Sequence, residues 1–154
     1  MPIGVISDTH GLLRPEALQA LAGSSLIIHA GDVGDPGILD ALRKIAPVVA
    51  VRGNVDTGEW AGVLRESECV EHGEASIYVL HDVNQLDLDP AAAGFDAVIS
   101  GHSHKPSIRT EGGVLYLNPG SAGPRRFTLP VTVARLHVSG RRLRAERVDL
   151  LAGG

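Results

Sequence analysis

The chain has 154 residues, enough for a single domain over residues 1–154 with a full core and no covalent staples. A single cysteine excludes an internal disulfide framework, and a formal net charge of −4 argues against a non-specific grip on nucleic acid, whose affinity comes from neutralising phosphates. Aromatic residues make up only 3%, so Val, Leu, Ile and Ala must build the core, with Cys69 expected among them as a small buried hydrophobe.

In chain order, Pro2–Ser7 is predicted as a strand and Pro15–Ala22 as a helix with proline at its first position. Leu26–Ala30 reads as a second strand, Asp35–Ala46 as a second helix and Val48–Val51 as a third strand. Continuous apolar strands separated by helices predict a parallel sheet covered on both faces. Beyond Glu59 the pattern turns to strands and tight turns: Val63–Glu71, Ala75–Leu80, Ala97–Ser100, Val114–Asn118, Val131–Val138 and Arg142–Asp149. The last two flank Ser139-Gly140, a hairpin candidate. The fold expected is α/β, with two sheets inside and helices outside.

No apolar run approaches the roughly 18 residues of a membrane span, and MPIGVISD has no basic region of the kind that opens a secretory signal. A cytoplasmic protein without a membrane partner is therefore expected.

The polar residues at the end of each apolar run carry the chemistry. IGVIS leads into DTH (Asp8, His10), LIIHA into GD (Asp32), and VVAVR into GNVD (Asn54, Asp56). IYVL leads into HD (His81, Asp82), AVIS into GHSH (His102, His104), and VLYL into NPGS. Ligands of open α/β sheets bind beyond the carboxyl ends of strands, so one rim should collect these side chains. Four histidines, two aspartates and an asparagine form a nitrogen and oxygen ligand set without thiolate, suited to Mn, Fe, Zn, Ni or Co. They are too many for one tetrahedral ion and sufficient for two ions that share a bridging ligand. Such a pair clamps the attacking and leaving oxygens of phosphoryl transfer. Asp56 and Asp82 would erase the positive charge of that centre, so both are expected to point away or to act behind the ligands.

Taken together, D-x-H, GD, GN, a histidine after a strand, and GHxH resemble the calcineurin-like metallophosphoesterase superfamily. The short chain and the segment LNPGSAGPRR narrow the resemblance to its small bacterial and archaeal phosphodiesterase branch, to which the small retromer subunit of eukaryotes is related. The resemblance covers residues 3 to 126 or so. It implies a four-layer αββα sandwich of two mixed β-sheets flanked by helices. It also implies in-line attack by a hydroxide bridging two divalent ions, with Mn the first expectation and Ni, Fe, Zn or Mg the alternatives. Carried over by position, one ion would be held by Asp8, His10, Asp32 and His104. The other would be held by Asp32, Asn54, His81 and His102. These seven residues are the predicted catalytic set. Many superfamily members have a histidine after the GN asparagine that protonates the leaving group. Here that position is Val55, which implies modest turnover and a preference for diesters with good leaving groups.

Substrate contacts are read from Asn54, Arg52, Ser121 and Arg125, with Arg126 beside them; Asn118-Pro119-Gly120-Ser121 reads equally as a turn or a pocket wall. Asp82 either orients His81 or faces solvent. His29 is expected to be a satisfied core histidine, and His72 and His137 to be structural or exposed. The partner expected is a small phosphodiester, with no stable nucleic-acid partner and a homodimer as the base-rate oligomer. Two alternatives stand beside the phosphodiesterase: a phosphomonoesterase on the same site, and a retromer-like interaction scaffold with little activity.

Overall fold

The computed structural model describes residues 2–126 and 128–151. Its first sheet has the order β10-β9-β1-β2-β3, from Arg142–Asp149, Thr132–Ser139, Ile3–Ile6, Leu26–His29 and Val48–Ala50. β1, β2 and β3 are parallel, as the apolar runs predict, and β9 pairs antiparallel with β1 and β10. The second sheet has the order β4-β5-β6-β8-β7, from Ser67–His72, Ala75–Leu80, Ala97–Ile99, Val114–Asn118 and Ser107–Glu111. There β5, β6 and β8 run parallel, with β4 and β7 antiparallel at the edges.

Alternation along the strands builds three apolar layers. Ile3, Val5, Ile28 and Ala30 face Ile77, Val79, Ile99 and Leu117 across the seam between the sheets. The opposite face of the first sheet, with Ile6, Ile27 and Val133, packs on α1 (Pro15–Leu21) and α2 (Pro36–Arg43). The outer face of the second sheet, with Tyr78, Leu80 and Val98, is covered by Val83 and Leu86 around a 3-10 turn over Val83–Gln85. The two flanking layers of the sandwich thus differ in kind: α-helix on one side, a short turn and loop on the other. Among the described residues no helix is long and apolar enough to cross a membrane.

Several expectations need correction. The strand expected from Val63 begins at Ser67; Glu59–Val63 is instead a 3-10 turn. Leu64 and Trp60 join the helix-side core while Val63 is 83% exposed, so this apolar stretch packs one residue at a time and never alternates. β7 is absent from the expected strands because all five of its residues are exposed, which leaves no apolar face to read. It is held by the β8 ladder and by the Arg109 guanidinium, 4.5 Å above the Tyr116 ring. The hairpin turns at Gly140-Arg141, one residue later than expected, since Ser139 pairs with Arg142. Cys69 is exposed, because β4 turns Val70 inward and therefore its neighbour out.

Candidate metal centre

Parallel pairing puts the carboxyl ends of β1, β2 and β3 on one edge of the first sheet, and those of β5, β6 and β8 on one edge of the second. The two edges meet across the seam. His81 Nε2 lies 3.1 Å from Asp32 Oδ2, His104 Nε2 lies 3.5 Å from Asp8 Oδ1, and His10 Nε2 lies 3.5 Å from Asp32 Oδ2. Two clusters with metal-ligand spacing result, Asp8, His10 and His104 in one and Asp32, His81 and His102 in the other. Each cluster draws on both sheets.

Both carboxylates are anchored by one oxygen and leave the other facing inward. Asp8 Oδ2 accepts the Ser7 hydroxyl at 2.7 Å and the His102 N–H at 3.1 Å. Asp32 Oδ1 accepts the Val55 N–H at 3.0 Å. Nδ1 of His81 donates to the Ala30 carbonyl at 2.7 Å, which aims Nε2 at Asp32. Among the described residues, the buried side-chain atoms without any hydrogen-bond partner are Asp8 Oδ1, His10 Nε2 and His104 Nδ1. A buried orphan costs about 1–3 kcal/mol, and a cation is the ligand that such a set of oxygen and nitrogen lone pairs fits. The residues present therefore suit divalent ions.

The electrostatics agree. Burial raises the Asp8 carboxyl above its ordinary value, countered only in part by Ser7 and His81. Burial pushes Asp32 the same way, but the His81 hydrogen bond, the Val55 N–H and the charges of His81 and His10 outweigh it and hold Asp32 low. His81 is raised, since Asp32 and the Ala30 carbonyl overcome its burial. His104 falls to about 4 through burial and the positive charges of Arg126 and His10.

The backbone is bent to serve this rim. Five non-glycine residues have positive φ among those described: Asp8, His10, Asp32, His102 and His104. Every one is a predicted ligand, and each such conformation costs about 1–3 kcal/mol, persisting only where the surroundings over-determine it. Motif glycines permit the close packing. A Cβ on Gly101 would meet Asp8 Oδ2 at 2.6 Å and collide with the Ser7 hydroxyl; one on Gly53 would overlap the Asp32 carboxylate.

Behind the ligands, Asp56 is buried and accepts three backbone N–H groups, from Val33, Gly34 and Gly53. It acts behind the ligands, as expected. His29 is a satisfied core histidine: Gly31 N–H donates to its Nδ1, so Nε2 donates to Thr9 Oγ1, which donates to the Val33 carbonyl.

The remaining predicted residues divide. Asn54 is exposed on the rim of a cleft that His81 also lines. Arg52 lines the same cleft and pairs with Glu66 at 3.2 Å. Ser121 is buried, and its hydroxyl donates to the Asp8 carbonyl, supporting the first ligand's backbone. Asn118 likewise donates to the Gly101 carbonyl and Ser103 Oγ, bracing the GHSH loop. Arg125 is exposed, and it is the charge of its neighbour Arg126 that reaches His104. Asp82 does not touch the His81 ring; Oδ1 caps the 3-10 turn at the Asn84 N–H, and Oδ2 lies 3.8 Å from His102 Nε2. Ser7 and the Ala30 carbonyl join the site as supports that sequence reasoning misses, since nothing beyond their place at strand ends marks them.

Comparison with known proteins bears on the same rim. The family model described as the calcineurin-like phosphoesterase superfamily domain matches residues 1–141. A probable metallophosphoesterase of Methanothermobacter thermautotrophicus is 41% identical over 159 residues, covering 95% of this chain and 91% of that protein. Phosphodiesterase YfcE of Escherichia coli strain K12 is 30% identical over 153 residues, covering 79% of each. The structure of vacuolar protein sorting 29 from Cryptosporidium parvum shares the fold with a TM-score of 0.85 at 22% identity, covering 99% of this chain and 93% of that one. With a metal-competent rim built from the strand ends of both sheets, a family match across most of its length and a metallophosphoesterase relative, the chain belongs to the calcineurin-like phosphoesterase superfamily.

Proposed function

We propose that the chain is a phosphodiesterase working with two divalent ions, Mn first among them. The observation that carries this is the pair of clusters at the sheet seam, which divides the ligands as the family resemblance implies: His104 with Asp8 and His10, His102 with His81 and Asp32. Asp32 Oδ2, 3.5 Å from His10 Nε2 and 3.1 Å from His81 Nε2, stands between the clusters and suits a bridging ligand. Asn54 would complete the second set from the rim. When bound, two such ions polarise a phosphoryl oxygen and activate a water for in-line attack. Against the two carboxylates they leave the centre positive and attractive to phosphate on an acidic protein.

A diester suits the surroundings better than a monoester. The second negative charge of a monoester calls for additional cations; on the cleft side Arg52 is already paired with Glu66, which leaves Arg126, whose charge reaches His104, on the other side of the centre. Val55, 45% exposed beside Asn54, cannot donate a proton, so the departing oxygen leaves without a positioned acid and aryl esters should be favoured. An interaction scaffold would have no use for a full ligand set held in five strained conformations.

Hydrolysis of bis(p-nitrophenyl) phosphate beside p-nitrophenyl phosphate tests the proposal, on metal-stripped protein given Mn²⁺, Ni²⁺, Zn²⁺ or Mg²⁺. The expected result is metal-dependent cleavage favouring the diester, lost in Asp32→Asn and His102→Ala. Stoichiometric metal uptake with neither ester cleaved would overturn it.

A further inference from the structure

The outer face of the second sheet, on the side of the 3-10 turn, holds a cavity of about 280 Å³ beneath the GHSH loop. Strand register builds its floor. Asn118 on β8 pairs with Ser107 on β7, and Tyr116 with Arg109, so these four side chains share one face. Ile99 pairs with Leu117 and points into the seam, which turns Ser100, the next residue, outward and level with Asn118. Ser103 and Lys105, which alternate along the chain with the candidate ligands His102 and His104, also line the cavity, as does Val83.

The groups left unused here are donors. The Lys105 ammonium and the hydroxyls of Ser100 and Ser107 have no hydrogen-bond or ion-pair partner among the described residues. Ser103 Oγ accepts the Asn118 amide at 3.1 Å and the Lys105 N–H at 3.2 Å, so both lone pairs are taken and its proton remains to be given. Arg109 is paired with Glu111 through one nitrogen and retains further N–H groups. No carboxylate is among the described residues that line the cavity.

Ser100 is the informative member. It is 5% exposed, and a hydroxyl so buried is normally satisfied, yet this one stands unpartnered at the cavity wall. An oxyanion has the lone pairs and the charge to satisfy Ser100, Ser103, Ser107 and Lys105 together, and hydrogen bonds to an ionised acceptor are the strong ones. A second cation would meet repulsion from Lys105. The cavity is several times the about 30 Å³ that a water occupies, and Val83 and Tyr116 give it apolar surface, so an organic group attached to the anion also has a place.

We infer that this cavity is a second ligand site, apart from the metal centre, that binds the phosphate head of a small organic phosphate through Lys105, Ser100, Ser103 and Ser107. The inference does not depend on the phosphodiesterase reading. An anion held there also ties down the loop that carries His102 and His104, since Ser103 lies between them.

Phenylphosphonate, with a phosphate-type head on a ring and no ester to cleave, is the probe, titrated into ¹⁵N-labelled full chain loaded with diamagnetic Mg²⁺. The amide signals of Ser100, Ser107 and Tyr116 should shift and saturate, with a midpoint on the order of 1 mM. Ser100→Ala should weaken binding about fivefold, the share of one hydrogen bond, and Lys105→Gln about threefold, the share of one exposed charge. Benzyl alcohol, which has the ring without the charge, should leave the three signals in place. Calorimetric Mg²⁺ uptake checks that the variants are folded. Shifts confined to the loops of Asp32 and Asn54 would put the probe at the metal centre and overturn the inference. So would the absence of any saturable shift, an affinity unchanged in either variant, or an equal response to benzyl alcohol.

Discussion

Asp56 accepts the backbone N–H of Gly34 at 2.9 Å, and its other oxygen takes Gly53 at 2.9 Å and Val33 at 3.2 Å. One carboxylate thereby bolts the loop after β2 to the loop after β3 and sets the position of Asp32 between them. Replacing Asp56 with alanine strands three donors. Thermal unfolding should show a loss of about 3 kcal/mol, the scale of hydrogen bonds to a charged group. Calorimetric titration should show Mn²⁺ binding about 10–100-fold weaker, as for other residues that orient ligands. Unchanged Mn²⁺ affinity would remove Asp56 from the support of the centre.

Burial holds His29 neutral, at about 4 against an ordinary 6.5, with Asp56 opposing only in part. The unfolded chain takes up this proton as pH falls through 6.5, while the folded chain resists until about 4. The stability contributed by neutral His29 is therefore present above about pH 6.5 and is lost between there and pH 4, to the extent of about 3 kcal/mol. Metal-free His104, lowered in the same direction, adds to the slope. Melting curves of the metal-free protein from pH 7 to pH 4 should thus fall more steeply than those of His29→Gln, which keeps His104 and lacks the buried imidazole. Parallel curves would show that His29 is not the titrating group.

Val55 comes directly after the candidate ligand Asn54 and is exposed on the rim. Val55→His should raise turnover of an alkyl aryl diester at its alkyl bond by about tenfold, part of the 10²–10⁴ that a well-positioned acid supplies. Cleavage of aryl bonds should change little. A series of leaving groups of graded pKa reads this as a flatter dependence of rate on leaving-group basicity. An unchanged slope would mean that position 55 cannot reach the departing oxygen.

Gly101 lies where a Cβ would crowd Asp8 Oδ2 and Ser7. Gly101→Ala should cost about 2 kcal/mol of stability, within the usual range for overpacking. Because the displaced oxygen is the one that anchors Asp8, metal affinity should fall alongside stability, whereas a surface Gly112→Ala, with open space around it, should leave affinity unchanged. Calorimetry on the pair separates the two cases.

The strand ends are readable because β1, β2, β5 and β6 are runs of consecutive apolar residues that stop at a polar group, and sheet geometry sends such groups to one rim. The features that escape a sequence reading do so for physical reasons. β7 has no buried face and depends on its neighbour's backbone. Val63 and Leu64 are adjacent apolar residues with opposite fates, which no periodicity distinguishes. Asp82, beside a ligand in sequence, caps a turn instead of touching the His81 ring, since the Ala30 carbonyl already holds that ring. The cleft is formed by Arg52, Tyr78 and Asp87, brought together only when the edges of the two sheets meet.

The division of each ligand cluster between the two sheets has a mechanical consequence. Asp8 and His10 leave the first sheet and His104 the second, while Asp32 leaves the first and His81 and His102 the second. Any ion that fills either cluster is a rivet through the seam, opposing both sliding and parting of the layers at the end where the apolar core stops. Stripping the ions should therefore loosen the molecule along a line and not merely at a point. Amide exchange should quicken together at the carboxyl ends of β1, β2, β5 and β6, and stay slow at their amino ends, where Ile3 and Ile77 lock the sheets without help.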